Sequence, residues 1–496
     1  MLAVENKIKI QRVAHSWLKT VAVNFAPNIS TPLLEAVQTE LREAFSAQGH
    51  TVQPQPTDAT DAIITTARFG QPVPWREALM MTGRKRFNLK RTPTVFTLVH
   101  ITPDEFYGAI DQLSVALLKE PLDPADFAYA GMAPQAHRTL IEQGKRGGPM
   151  MALIRRVQAQ AMSIRNVLLV GHEEPETAFY FDLVGMHPRT EREEADFYGD
   201  MARRMVTAVS TREVTKHLVS ERGLTASEWA ALSTPAAMRH AGRQLGQRGF
   251  FTEMVRVSDL VTVPALSDAI SSQYSEGCFA TWDADINALL ATITGSARPV
   301  AKDNLTDDEL AVIDGVRTDG VGGAVVRHVE GKRNDSPSSE SVEMMEMDYA
   351  LPKITLGVEW GGWAGRSVPV VRSKLHGHRG IAAYNPATVE WVRLDEAYYH
   401  YPVSCSTEAQ AWAIKAAFAR AECLRHAADP RQIAFTVLPG HGIVVAEKWV
   451  AGKAPLQQIW EAMDSGDLQV DNLIPQGLHT FTLGADGRLW VSERLS

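Results

Sequence analysis

Short apolar runs recur along this chain between stretches with helical spacing, and no uncharged apolar run approaches the roughly 18–20 residues that a membrane-spanning helix needs. Residues 20–26 (TVAVNFA), 62–67 (AIITTA), 94–101 (TVFTLVHI) and 166–170 (NVLLV) read as strands. An amphipathic stretch from Thr31 to Gln48, with Ser30 placed to cap it, and a second helix opened by Pro103-Asp104-Glu105 and running to Leu118 lie among them. Strands alternating with helices call for an α/β sheet layer over residues 15–185.

At 496 residues the chain has room for two to four domains. The helical pattern of 189–251 separates an N-terminal α/β domain (1–188), through a connecting region (189–254), from a second α/β half (255–496). That half carries apolar runs at 291–295, 323–329, 368–374, 434–438 and 442–447, with an Ala-rich helical stretch at 409–429. Residues 331–341 (GKRNDSPSSES) form a polar loop by composition, and no repeat with a period of 20–50 residues is visible.

A net charge of −8 gives no global field toward nucleic acid or an anionic membrane, so neither is expected as a partner. Three cysteines, Cys278, Cys405 and Cys423, make no disulfide framework and no CxxC pair, which fits a reducing cytoplasm. The first residues lack an apolar core followed by a cleavage site. No GxGxxG or P-loop stands at a strand–helix junction, while Gly171-His172-Glu173-Glu174-Pro175-Glu176 follows a strand and is a candidate loop site.

Three histidines carry the chemistry. In an extended strand residues two apart share a face, so His376 and His378 can reach one ion across Gly377; His441, in Pro439-Gly440-His441-Gly442 between two apolar runs, supplies a third imidazole at a turn. Three neutral imidazoles with an open position are the usual make-up of a catalytic zinc site. A solvated or core pair of histidines and a turn whose glycines serve only the backbone are the plain alternatives. Glu340, at the end of Pro337-Ser338-Ser339-Glu340, is either an acid at a helix start, with Ser338 or Ser339 as cap, or a carboxylate that moves a proton at carbon.

Taken in order, Glu276-Gly277-Cys278-Phe279-Ala280-Thr281, Thr292-Ile293-Thr294-Gly295, residues 305–314, Glu330-Gly331-Lys332 running into Pro337-Ser338-Ser339-Glu340, His376-Gly377-His378 and Gly440-His441-Gly442 resemble the class II aldolase/adducin family, of the fuculose-phosphate aldolase type, over about residues 255–465. The resemblance implies a second domain with a central, mainly antiparallel sheet and a site between subunits of a homo-oligomer. It implies a divalent metal, zinc first with manganese, iron or cobalt as alternatives, on His376, His378 and His441. Glu340 would be the proton carrier and Tyr398 or Tyr399 an acid. Gly277, Cys278, Thr294, Gly295, Ser338 and Ser339 would hold a small-molecule substrate.

The chain departs from the family's pattern where Cys278 replaces an Asn, removing an amide donor, and where a longer segment carrying Trp360-Gly361-Gly362-Trp363 is expected to remodel the pocket mouth. The expected function is a metal-dependent lyase or epimerase of carbohydrate metabolism, acting on a small hydroxy-carbonyl compound through an enediolate. The alternatives are an adducin-like binding or scaffold module without catalysis, and a metal-dependent sugar isomerase in which Glu276 and Asp303 join a His as ligands.

Overall fold

The computed structural model describes residues 18–68, 93–105, 166–171, 179–181, 186–188, 194–211, 214, 216–251, 277–294, 302–318, 323–377, 380–395, 398, 403, 407–426, 428–438, 442–471, 479–483 and 489–494. Helices and sheets alternate through them, so the α/β class holds.

A seven-stranded sheet is built from β1 (Ala22–Phe25), β2 (Thr51–Gln53), β3 (Ala62–Arg68), β4 (Thr94–Ile101), β5 (Asn166–Val170), β6 (Phe179–Phe181) and β7 (Met186–Pro188), in the order β2-β1-β3-β4-β5-β6-β7. The first five are parallel and the last two antiparallel. The near-continuous apolar content of β3 and β4 is what burial on both faces demands. Helix α1 (Pro32–Ala47) lays Leu33, Leu34, Val37, Leu41 and Phe45 on this sheet. Its cap is Thr31, whose hydroxyl accepts from the Leu34 N–H, with proline next in line; Ser30 instead bonds the Glu35 carboxylate, so the expected cap moves by one residue. Helix α2 (Glu194–Ser210) packs Phe197, Met201, Met205 and Val209 into the same core. The stretch expected as a connector is thereby shared out, because the helices after α2 serve the second sheet.

That second sheet has nine strands, from β8 (Leu218–Val219), β9 (Cys278–Asp283), β10 (Ala288–Thr292), β11 (Leu310–Val316), β12 (Ala324–Arg327), β15 (Val371–Gly377), β17 (Val389–Trp391), β18 (Ile433–Leu438) and β19 (Gly442–Lys448). The order is β17-β18-β19-β15-β9-β10-β11-β12-β8, antiparallel at every junction except β17–β18 and β12–β8. Short two-stranded sheets pair β13 (Lys353–Thr355) with β14 (Ser367–Pro369), β16 (Gly380–Tyr384) with β20 (Leu468–Asp471), and β21 (His479–Leu483) with β22 (Leu489–Arg494).

Helices cover both faces of the nine-stranded sheet. On one lie α3 (Ala226–Ala231), α4 (Thr234–Gln247) and α8 (Gln457–Ser465), packing on Phe279, Leu290, Leu375, Ile443 and Val445. On the other lie α5 (Ser341–Ala350), α6 (Glu408–Phe418) and the short α7 (Glu422–Arg425), against Cys278, Ala280, Ala291, Val444 and Ala446. The two-residue alternation of β9 and β19 between these cores is the pleat of a sheet buried on both sides. Among the described residues no helix is long and apolar enough to cross a membrane.

Candidate functional site

The face under α5 gathers the sequence-predicted residues. Cys278, the first residue of β9, stands opposite His376 near the end of β15, and Gly377 stands opposite Ile443 at the start of β19. Paired Cα atoms lie about 5 Å apart. The chain positions next to residue 378 and next to residue 441 are therefore neighbours in one ladder. His378, His441, Gly295 and Tyr399 themselves lie outside the described residues, as do 172–176 of the candidate loop and the remainder of the helix expected after Glu105.

The His376 ring is buried, with Nδ1 3.0 Å from the carbonyl oxygen of Ile443. A carbonyl only accepts, so Nδ1 carries the proton and Nε2 the lone pair. That is the tautomer a histidine ligand uses when its other nitrogen is anchored on a carbonyl. The donor set fits a divalent ion in this respect. Among the described residues no three His, Cys, Asp or Glu side chains group around one point.

The Ser338–Glu340 loop is fastened to this face by its backbone. The Ser338 N–H donates to Thr292 O at 2.9 Å, and the Thr294 N–H donates to Ser336 O at 3.0 Å. The Thr294 hydroxyl donates to Pro337 O at 3.0 Å, so this predicted substrate ligand holds the loop. Neither serine caps α5. Both hydroxyls turn to Glu340, whose Oε2 accepts from Ser338 at 2.6 Å and from Ser339 at 3.2 Å. Two O–H donors on one oxygen favour the carboxylate form.

Cys278 is fully buried beside Ser338 and within reach of the charges of Glu340, Glu343 and Lys302. Burial first, and Glu340 second, push its thiol well above the ordinary range. It is a neutral neighbour here. Residues the sequence reading did not single out complete the cluster. Lys302 is buried with its ammonium 5.2 Å from the Phe251 ring centroid. Glu343, one turn beyond Glu340, is 1% exposed, and its Oε1 accepts from Gln410 Nε2 at 2.6 Å. Gln410 Oε1 in turn accepts from the Tyr398 hydroxyl at 2.9 Å.

Burial, with Glu340 adding to it, raises the Glu343 carboxyl well above the usual range, against the Gln410 hydrogen bond. The positive end of α5 favours a charge there by only about 0.3–1 kcal/mol, whereas burying an ionised carboxylate costs several. Burial wins, and the Glu343 carboxyl is pushed toward its neutral form. A Glu three residues after Glu340 and flanked by Val342, Met344 and Met345 was the available signal.

Two other expectations move. Trp360 and Trp363 stack on each other with centroids 6.3 Å apart and pack edge-on against Trp449 at 5.1 and 5.9 Å, with the Arg372 guanidinium 5.1 Å from the Trp360 centroid. Arg372 precedes His376 by four residues, about 14 Å along an extended strand. The tryptophans thus pack at the end of β15 away from His376. Asp303 is exposed, and Glu276 lies outside the described residues.

Gly277 has a backbone role that its chemistry does not announce. Its φ is +77°, and a Cβ there would lie 2.5 Å from the His376 carbonyl oxygen and 3.1 Å from Gly377 Cα. Gly277→Ala is expected to cost roughly 2–3 kcal/mol, from left-handed strain plus a clash with backbone that cannot rotate away. Gly331 shares the φ of +77° with nothing within 4 Å of its would-be Cβ, so Gly331→Ala isolates the conformational part at about 1 kcal/mol. Urea titration of both variants checks this; equal losses would remove the clash from the account.

No protein-family model, curated protein or solved structure matches the chain.

Proposed function

We propose that the nine-stranded half is a class II aldolase-type enzyme, a metal-dependent lyase or epimerase acting on a small hydroxy-carbonyl compound. The observation that carries this reading is convergence. Cys278, Thr294, Ser338, Ser339, Glu340 and His376 come from four separate stretches of sequence, were chosen from motif order alone, and meet on one face of one sheet. The mainly antiparallel sheet agrees with the expected architecture.

His376, His378 and His441 would hold the ion, which would supply positive charge to two adjacent substrate oxygens. Glu340 would take the proton from carbon. The C–H electron pair then moves into a C=C bond, the carbonyl π pair moves onto oxygen, and an enediolate results. The Tyr398 hydroxyl is buried and given to Gln410, which leaves Tyr399 as the acid. With Cys278 buried and neutral in place of an amide donor, the substrate is expected to lack a phosphate at that position.

The test joins metal content to proton exchange. Protein purified without chelator or metal resin is expected to carry about one divalent ion per chain by elemental mass spectrometry, lost in His376→Ala and in His441→Ala. In D2O it is expected to exchange the carbon-bound protons of dihydroxyacetone, followed by NMR. Glu340→Gln is expected to slow that exchange at least ~100-fold with the metal retained. Folded protein that takes up no metal from added zinc, manganese, iron or cobalt would sink the enzymatic reading in favour of a binding module.

A further inference from the structure

We propose that Glu340 and Glu343 act as a pair that holds one proton between them, carried at rest by Glu343, so that Glu340 stands ready as the base. The base role rests on the function proposed above, whereas the location of the proton does not. Glu343 is thereby a positioning residue that acts through Glu340.

The two carboxyls sit three residues apart at the start of α5, on neighbouring turns of one helix face. Their surroundings differ in kind. Glu340 Oε2 accepts two hydroxyl donors, from Ser338 and Ser339, which is a carboxylate's environment. Glu343 receives one amide hydrogen at Oε1, and among the described residues its buried Oε2 has no hydrogen-bond partner. An oxygen walled off from water and without a donor suits a protonated carboxyl. Glu340 and Glu343 act on each other as like charges, so ionising one opposes ionising the other, and the better-solvated Glu340 keeps the charge.

Gln410 fixes which oxygen receives the amide. Because the Tyr398 hydroxyl donates to Gln410 Oε1, the amide is turned so that Nε2 faces Glu343. The remaining titratable groups nearby leave this arrangement in place. On β9 the buried Cys278 thiol is neutral, and Lys302 stands within its reach. On β15 Lys374 is bound to Asp348, and His376 to the Ile443 carbonyl. On α6 Lys415 is bound to Glu346. Among these, no described cation is bonded to Glu343. When Glu340 accepts a proton from carbon its charge disappears, and with it the repulsion that favoured the neutral form of Glu343. The proton that Glu340 gains goes back from Glu340 to the enediolate as product forms, which restores its charge, so the pair again holds one proton and none has left the buried Glu343.

Infrared difference spectroscopy of the full-length chain against pH reads the proton directly, through the C=O stretch of a protonated carboxyl. The wild type is expected to keep a component of this band above the pH at which Asp348 and Glu447 ionise, a component that Glu343→Gln removes and Glu340→Gln keeps at a lower midpoint. In Glu340→Gln the band's titration midpoint is expected to fall by at least about one pH unit, since the like charge is gone. If Glu343→Gln does not fold, the Glu340→Gln titration decides alone, with a lowered midpoint supporting the pair. A band removed by Glu340→Gln, or a midpoint that does not move, overturns it. These outcomes do not depend on metal uptake or on deuterium exchange, so failure of the pair and failure of the proposed function are told apart.

Discussion

Lys374→Met is expected to destabilise the nine-stranded half by about 3–5 kcal/mol at neutral pH, because it leaves a buried carboxylate without its cation. Lys374 on β15 is fully buried and its Nζ lies 2.5 Å from Asp348 Oδ2 on α5, itself 3% exposed. Burial lifts the Asp348 carboxyl to about 6 even with Lys374 pulling it down. Removing the lysine lifts it further. A carboxyl raised in the folded state contributes stability below its unfolded value and loses it as pH rises through its folded value. The deficit of Lys374→Met therefore shrinks as pH falls toward 5, where Asp348 accepts a proton.

The double variant Lys374→Met with Asp348→Leu is expected to recover to within about 1 kcal/mol of wild type, or to exceed it, since neither charge then needs burial. Trp282 and Trp449 lie in the adjoining core and report on it by fluorescence during urea unfolding. A double variant as unstable as the sum of the two singles would show that the cost is packing around α5 and not the lone charge.

The same helix shows how much was legible in the sequence. Strands β3, β4, β5, β18 and β19 stood out because each is mostly apolar or β-branched over its length, the signature of burial on both faces. Helix α5 did not, for Ser341, Val342, Glu343, Met344, Met345, Met347 and Asp348 are all buried. A helix enclosed between a sheet and another helix has no polar stripe to reveal its period. Strand β9 was hidden by Thr281 and Asp283, polar residues that burial tolerates because Thr281 bonds Ser373 and Asp283 receives the N–H groups of Asp285 and Ile286.

For the candidate site, motif order singled out Ser338, Ser339, Glu340 and His376, and strand register and backbone bonds fix their neighbours on the face. The Tyr398–Gln410–Glu343 chain was out of reach. Its members are separated by 12 and 67 positions, and only the packing of α6 on α5 joins them. The tryptophan pair misled for a related reason, because chain proximity to the histidines says nothing about which end of β15 the loop covers.

Strand β19 carries the second large effect. Glu447 is fully buried, accepts from the Leu456 backbone N–H at the start of α8, and lies beside Ser373 and Arg372. Leu456 holds a left-handed φ of 66°, a conformation a branched side chain rarely takes, and this hydrogen bond helps keep it. Burial pushes the Glu447 carboxyl from 4.5 up to about 7. Between those values the folded chain holds a proton that the unfolded chain has lost, so stability falls as pH rises across the window, by about 3 kcal/mol when the full interval is crossed. Asp429, held near 2 by Arg431, titrates below the window and does not offset the fall. Glu447→Gln keeps an acceptor for Leu456 and no longer titrates. Urea unfolding at pH 5 and pH 8 is expected to show the wild type losing about 3 kcal/mol more than this variant. Among the described residues Glu343 and Asp348, raised carboxyls on the opposite face, and His50 and His217, both lowered by burial, still contribute to the slope of the variant, equally in the two proteins. Equal losses in the two proteins would mean that Glu447 stays ionised on folding, with Arg372 close enough to balance its burial.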